Sequence, residues 1–206
     1  PRSRISNILS RPLEKFYSFD HETIRQKVSE VLYDVRLDDS YSSRYPDQLS
    51  GGERQRIAIA RALVCDPELL LCDEILSALD VSVQANIINL LQGLRFDKNV
   101  AMLFISHDLA VVRSLADQVG VLFDGDLVEV GGVEEIFSPP FHPYTHSLLM
   151  AVPSVRDKYS LPHRSISPNP TKKNSKGCSF AGRCPWQLGK VCIEETPPVQ
   201  RSGQTL

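Results

Sequence analysis

The sequence predicts an α/β fold fed by a helical segment, and three observations carry that prediction. Two short apolar runs, Glu68 to Cys72 and Val100 to Ile105, alternate with stretches of helical periodicity. An Asp124-Gly125 pair between two further apolar runs marks a tight hairpin, so the expected sheet has an antiparallel edge. The composition, 42% apolar and 23% charged over 206 residues, is that of a globular chain of about one domain with a tail.

Residues 1–48 read as helical. Ile24, Val28, Val31, Leu32 and Val35 share one helical face, and Asp20 stands before them as an N-cap. Tyr41 to Pro46 is polar and ends in proline, which reads as a loop. Gly51 to Val64 is a helix with Ile57, Ala60, Leu63 and Val64 inward. Glu68 to Cys72 is a short continuous apolar run, Leu69 to Cys72, that ends at two acids, as suits a strand buried on both faces. Val81 to Leu94 is a helix with Ile87, Ile88, Leu91 and Leu94 apolar, Val100 to Ile105 a second buried strand, and Asp108 to Ala116 a further helix. Gln118 to Phe123 and Leu127 to Val130 form the hairpin. From Ser138 the prolines multiply (Pro139, Pro140, Pro143, Pro153, Pro162, Pro168, Pro170), Lys172, Lys173 and Lys176 make a basic patch, and one helix is expected near Tyr144 to Ala151. This remainder reads as an appendage with little core of its own.

Charge and composition remove several function classes. Lys and Arg number 23 against 25 Asp and Glu, so nothing favours a nucleic-acid partner. No apolar run reaches the roughly 18–20 residues needed to cross a bilayer, and no signal-peptide core follows Pro1. Five cysteines, an odd number, argue against a disulfide framework. Cys65 and Cys72 sit in apolar surroundings as core residues, whereas Cys178, Cys184 and Cys192 cluster in the tail.

Three short motifs are candidates for chemistry. Asp73 and Glu74 end an apolar strand, where α/β sheets bind ligands. One carboxylate there can hold Mg²⁺ and its neighbour can orient or deprotonate a water, the division of labour common in phosphoryl transfer. Ser50-Gly51-Gly52 precedes a helix, so backbone N–H groups can approach an anion and the serine can both cap the helix and donate to a phosphate. His107 follows a strand and can reach the same crevice. Each has an ordinary reading alone: solvated acids at a strand end, a glycine turn with a serine cap, a lone histidine.

Their order is more telling. Leu49-Ser-Gly-Gly-Glu-Arg-Gln-Arg56, Leu69 to Glu74, Ser77-Ala78-Leu79-Asp80 and Ser106-His107-Asp108 resemble the signature, Walker B, D-loop and switch histidine of ABC ATPases, over roughly residues 1–197. The resemblance implies a P-loop NTPase-type ABC nucleotide-binding domain of α/β class, with a helical subdomain and an irregular C-terminal tail. It implies that ATP and Mg²⁺ are used. Asp73 would contact Mg²⁺, Glu74 polarise the attacking water, His107 clamp the γ-phosphate and Asp80 communicate across a dimer. Ser50, Gly51, Gly52 and Gln55 would bind ATP held by the opposite subunit. Ile75-Leu76 departs from the family, which more often has Pro-Thr there, and should alter packing behind Glu74.

No G-x-x-x-x-G-K-[ST] occurs in the 206 residues, nor the glutamine loop or adenine-stacking aromatic that the family places before its signature. The expectation is a chain that begins inside the helical subdomain, binds ATP poorly by itself and hydrolyses it as part of a longer subunit. A truncated remnant is the rival, and a non-transport ABC ATPase a further one, although such a protein should show a coiled coil or zinc module. The expected division is 1–48 for the end of the helical subdomain, 49–137 for the ATPase core and 138–206 for the extension.

The tail narrows the branch. Glu135-Ile136-Phe137, Phe141-His142-Pro143-Tyr144-Thr145-His146-Ser147-Leu148-Leu149, Gly177-Cys178-Ser179-Phe180, Arg183-Cys184-Pro185, Cys192 and Pro197-Pro198 resemble the C-terminal region of oligopeptide and dipeptide importers. That implies a second ATPase subunit, integral permeases and, indirectly, a solute-binding protein as partners, at the cytoplasmic face of the inner membrane. Cys178, Cys184 and Cys192 are candidate iron–sulfur ligands, but four cysteines are usual, and the expectation is reduced thiols without a cluster.

Overall fold

The computed structural model describes residues 3–77, 79–138, 142–151 and 176–195. Ala78, the prolines at 139, 140, 153, 162, 168, 170, 197 and 198, Phe141, Lys172 and Lys173 lie outside the described residues. Two compact units divide the chain, Pro1–Leu115 and Ala116–Leu206.

The first unit opens with two helices. In α1 (Ile5–Phe16) the i, i+4, i+8 positions Ile5, Leu9 and Leu13 are all fully buried. Helix α2 (His21–Asp34) starts where the Asp20 carboxylate accepts a hydrogen bond from Thr23 N–H at 2.8 Å, and its buried face is Ile24, Val28, Val31 and Leu32. The segment expected as a loop contains instead two short 3₁₀ turns, Asp39–Ser43 and Pro46–Gln48. Asp38 caps the first through Ser40 N–H, a local side-chain bond that stabilises a turn without apolar periodicity.

Helix α3 (Gly51–Leu63) follows, then strand β1 (Leu69–Asp73), helix α4 (Val81–Lys98), strand β2 (Ala101–Ile105) and helix α5 (Leu109–Leu115). Helix α4 runs a turn beyond Leu94. That turn is polar except for exposed Phe96, so apolar spacing could not reveal it; Lys98 pairs with Asp34 at 2.7 Å and Asn99 ends the helix in the left-handed region.

Strands β1 and β2 are parallel, with Leu69 opposite Ala101 and Asp73 opposite Ile105. They are not buried on both faces. Leu70 and Cys72 enter the core, while Leu69, Leu71, Leu103 and Ile105 are 53%, 68%, 54% and 53% exposed. A continuous apolar run does not tell one covered face from two, and no described element of this unit covers the second face of the pair.

In the second unit, β3 (Gln118–Phe123) and β4 (Asp126–Gly132) form an antiparallel hairpin. Asp124 and Gly125 have φ of 51° and 86°, the doubly positive conformation of a type I′ turn, whose twist matches the strands. Within this unit the hairpin forms a two-stranded sheet. Helices α6 (Val133–Phe137), α7 (Pro143–Met150) and α8 (Lys190–Glu194) follow. The tail has more core than its composition suggested. Phe180 is 1% exposed, edge-on to Phe123 at 5.1 Å between ring centres and tilted against Tyr144 at 5.4 Å. Among the described residues, no helix is long and apolar enough to cross a membrane.

Candidate functional site

The parallel register sets the site. With Asp73 opposite Ile105, the next residue on the first strand lies beside the residue that precedes His107. Glu74 N–H still donates to Ile105 C=O at 3.0 Å, so the ladder extends one step past β1. The Glu74 backbone then turns to φ 46°, a left-handed conformation uncommon for a residue with a side chain and frequent at functional sites. Ser77 holds that turn, donating to Glu74 C=O from its backbone at 3.1 Å and from its hydroxyl at 2.9 Å. The result brings Glu74 Oε1 to 3.1 Å from His107 Nδ1, a hydrogen bond in the tautomer that carries its proton on Nδ1.

The backbone on either side of His107 is held by local bonds. Asp108 N–H donates to Ser106 Oγ at 3.0 Å, and the Asp108 carboxylate caps α5 by accepting from Ala110 and Val111 N–H. The pair opens on a cleft of about 60 Å³, whose walls include Glu74, Ser77, Gln84, Ser106 and His107. Both side chains stay largely exposed, His107 at 73% and Glu74 at 52%. Asp73 is also exposed, at the strand end, but does not line this cleft. Mg²⁺ is commonly held by one or two carboxylates together with substrate phosphates, and an exposed strand-end carboxylate without an ion-pair partner among the described residues suits that use.

Ser50 is the N-cap of α3 and makes a reciprocal pair with Glu53: its Oγ accepts from Glu53 N–H at 3.3 Å, and its N–H donates to Glu53 Oε2 at 2.7 Å. Gly51 and Gly52 are the first two helical residues, with half-buried Gln55 a turn further. A Cβ on Gly52 would stand 2.7 Å from Val83 Cγ1 on α4; one on Gly51 would meet Leu79 Cδ2 at an ordinary 3.7 Å. The Ser50 loop thus lies against the segment that carries Asp80, the N-cap residue of α4, and not in the cleft of Glu74 and His107.

Behind Glu74, Leu76 is buried and its C=O accepts from Gln84 Nε2 at 3.0 Å, so Ile75-Leu76 is accommodated by core packing. Gln84 and Ser77 support the site; Ser77 opens the Ser77-Ala78-Leu79-Asp80 motif, whereas nothing in the sequence position of Gln84 distinguishes it from an ordinary polar residue. Cys72 is buried, which pushes its thiol up to about 11; Cys65 packs beside the core, and burial raises its thiol too.

In the second unit Cys178 N–H donates to Cys192 C=O at 2.9 Å, and Cys178 Sγ lies 3.9 Å from His142 Nε2. Burial raises the Cys184 thiol, and Cys178 and Cys192 are near enough to raise it further. Even so, no group of three His, Cys, Asp or Glu side chains among the described residues is arranged to hold a metal ion.

The ABC transporter family matches residues 3–77, and the oligopeptide/dipeptide transporter C-terminal region matches residues 128–192. The oligopeptide transport ATP-binding protein AppF of Bacillus subtilis (strain 168) is 43% identical over 202 residues, covering 96% of this chain and 61% of that protein. The dipeptide transport ATP-binding protein DppF of Haemophilus influenzae is 42% identical over 207 residues, covering 98% and 62%. The chain therefore spans about three fifths of the length of the curated relatives it matches. A solved structure, the dimeric post-hydrolysis state of the ATP-binding cassette MJ0796 bound to ADP and Pi, superposes with a TM-score of 0.56 at 30% identity, covering 65% of this chain and 58% of that one.

The fold is that of an ABC-type ATP-binding domain. The chain belongs to the ABC transporter ATP-binding proteins, in the oligopeptide/dipeptide branch.

Proposed function

We propose that this chain forms part of the ATP-binding subunit of an ABC importer for peptides or similar small solutes, coupling ATP hydrolysis to transport. The observation that carries the reading is the Glu74–His107 pair: a carboxylate held in a left-handed turn at a strand end, 3.1 Å from the His107 imidazole. In this reading Glu74 orients the attacking water and accepts its proton, and His107, with both ring nitrogens protonated, donates from Nδ1 to Glu74 and from Nε2 to the γ-phosphate. Asp73 would hold Mg²⁺, which when bound neutralises charge on the phosphate oxygens. Ser50, Gly51, Gly52 and Gln55 address the nucleotide of a facing ATPase subunit, with Asp80 at the same seam. The ADP and Pi of the MJ0796 dimer support a nucleotide-bridged pair.

The peptide assignment rests on the C-terminal region and on relatives described as oligopeptide and dipeptide transport proteins. The partners are then a second ATPase subunit, membrane permeases and, through them, a solute-binding protein, at the cytoplasmic face of the membrane. The test is ATP hydrolysis by the assembled transporter carrying His107→Ala. Loss of a donor to developing phosphate charge should lower turnover by about 10²-fold; a change of less than about threefold would count against the role.

A further inference from the structure

The Ser50 reading requires a hydroxyl whose proton faces outward. Ser50 Oγ accepts from Glu53 N–H, and among the described residues its own proton goes to no acceptor. The Ser50 backbone is fixed by Glu53 Oε2. Where that carboxylate sits therefore decides how Ser50 is presented, and a capping glutamate alone keeps rotamer freedom.

Here the other oxygen is also taken. Tyr41 Oη donates to Glu53 Oε1 in a short hydrogen bond that reaches back twelve residues into the 3₁₀ turn Asp39–Ser43. The Tyr41 ring is partly buried against the core, and the Arg44 guanidinium lies 3.8 Å from its centre. Arg44 C=O in turn accepts from Ile5 N–H at 2.9 Å, at the start of α1. A fixed chain of contacts thus runs from α1 through Arg44 and Tyr41 to Glu53 and Ser50. The bond from Tyr41 is the largest cause holding Glu53 down to about 2, and the same bond raises Tyr41, so at neutral pH the donor stays a phenol and the acceptor a carboxylate.

We propose that Tyr41 is a positioning residue for the nucleotide-facing loop: by occupying Glu53 Oε1 it reserves Oε2 for Ser50 N–H and so fixes the direction of the Ser50 hydroxyl. This rests on the reading that Ser50 meets a phosphate held by a facing subunit. Tyr41 acts through Ser50 and touches no substrate. Its removal should therefore affect the step in which the loop engages the phosphate, and leave intact the grip on nucleotide supplied by the facing subunit.

The test is ATP hydrolysis by the assembled transporter with Tyr41→Phe, Ser50→Ala and the double substitution, beside carbon NMR titration of the Glu53 carboxyl. Phe keeps the ring and its packing. Tyr41→Phe is expected to lower kcat roughly tenfold with KM within about twofold, to add nothing in the Ser50→Ala background, and to move the Glu53 titration up toward its ordinary range. Loss in Ser50→Ala with none in Tyr41→Phe overturns the proposal alone. So does a Tyr41→Phe loss that multiplies fully with Ser50→Ala, or an unmoved Glu53 titration. A Ser50→Ala transporter with unchanged turnover overturns the reading of the loop and the proposal with it.

Discussion

Glu74 and Gly52 illustrate how backbone and packing demands meet chemistry at single positions. Glu74 occupies a φ of 46° because its N–H continues the ladder to Ile105 while its C=O is taken by Ser77. Gly52 is needed for a different reason: its backbone is unstrained, but Val83 Cγ1 stands where a Cβ would go. Gly52→Ala should therefore lower the melting temperature, by a stability loss of about 1–3 kcal/mol from overpacking. Gly51→Ala, which meets only an ordinary contact, should raise it slightly, by about 0.4–1 kcal/mol, through a less flexible unfolded chain. Thermal denaturation of both variants checks this; equal effects would remove the distinction. The residue types of the site were legible from the order of the motifs, since Asp73, Glu74, His107 and the Ser50 loop each follow a recognisable apolar run or precede a helix. What spacing could not disclose was the support: Gln84 on the Leu76 carbonyl, Ser77 on the Glu74 carbonyl, and Tyr41 on Glu53 are contacts that each involve a turn residue, and turns carry no periodicity.

At the scale of elements, α3 shows how a cap responds to pH. Glu53 is held by Tyr41 and by Ser50 N–H, and these bonds hold its carboxyl down from an ordinary 4.5 to about 2. A depressed acid contributes stability that is present above its unfolded value and lost as pH falls through its folded one. The stability difference between this chain and Glu53→Gln should therefore be constant above about pH 4.5 and shrink as pH falls toward about 2, in denaturant titrations at each pH. A difference independent of pH across that window would contradict the assignment. Most elements were readable because amphipathic spacing is a local property: α2 with its Asp20 cap, α3, the start of α4 and the Asp124-Gly125 hairpin. Strands β1 and β2 were read as buried on both faces because burial of the second face depends on neighbours, and Leu70 and Leu71 look alike in sequence although one is buried and the other exposed.

For the molecule as a whole, the first unit carries the acid, histidine and serine-loop elements, and the second carries the branch-specific C-terminal region around Phe180. The tail's small core was hidden from composition, because Phe180 and Tyr144 are isolated aromatics among polar and proline-rich residues and meet Phe123 only in the fold. The central claim is that the strand-end pair activates water against a phosphate. It is tested most directly by single-turnover ATP hydrolysis in the assembled transporter carrying Glu74→Gln, which keeps the side-chain shape and removes the basic carboxylate. The account predicts nucleotide that remains bound while hydrolysis falls by about 10²–10⁴-fold. Hydrolysis within a factor of about three of the unsubstituted transporter would contradict it.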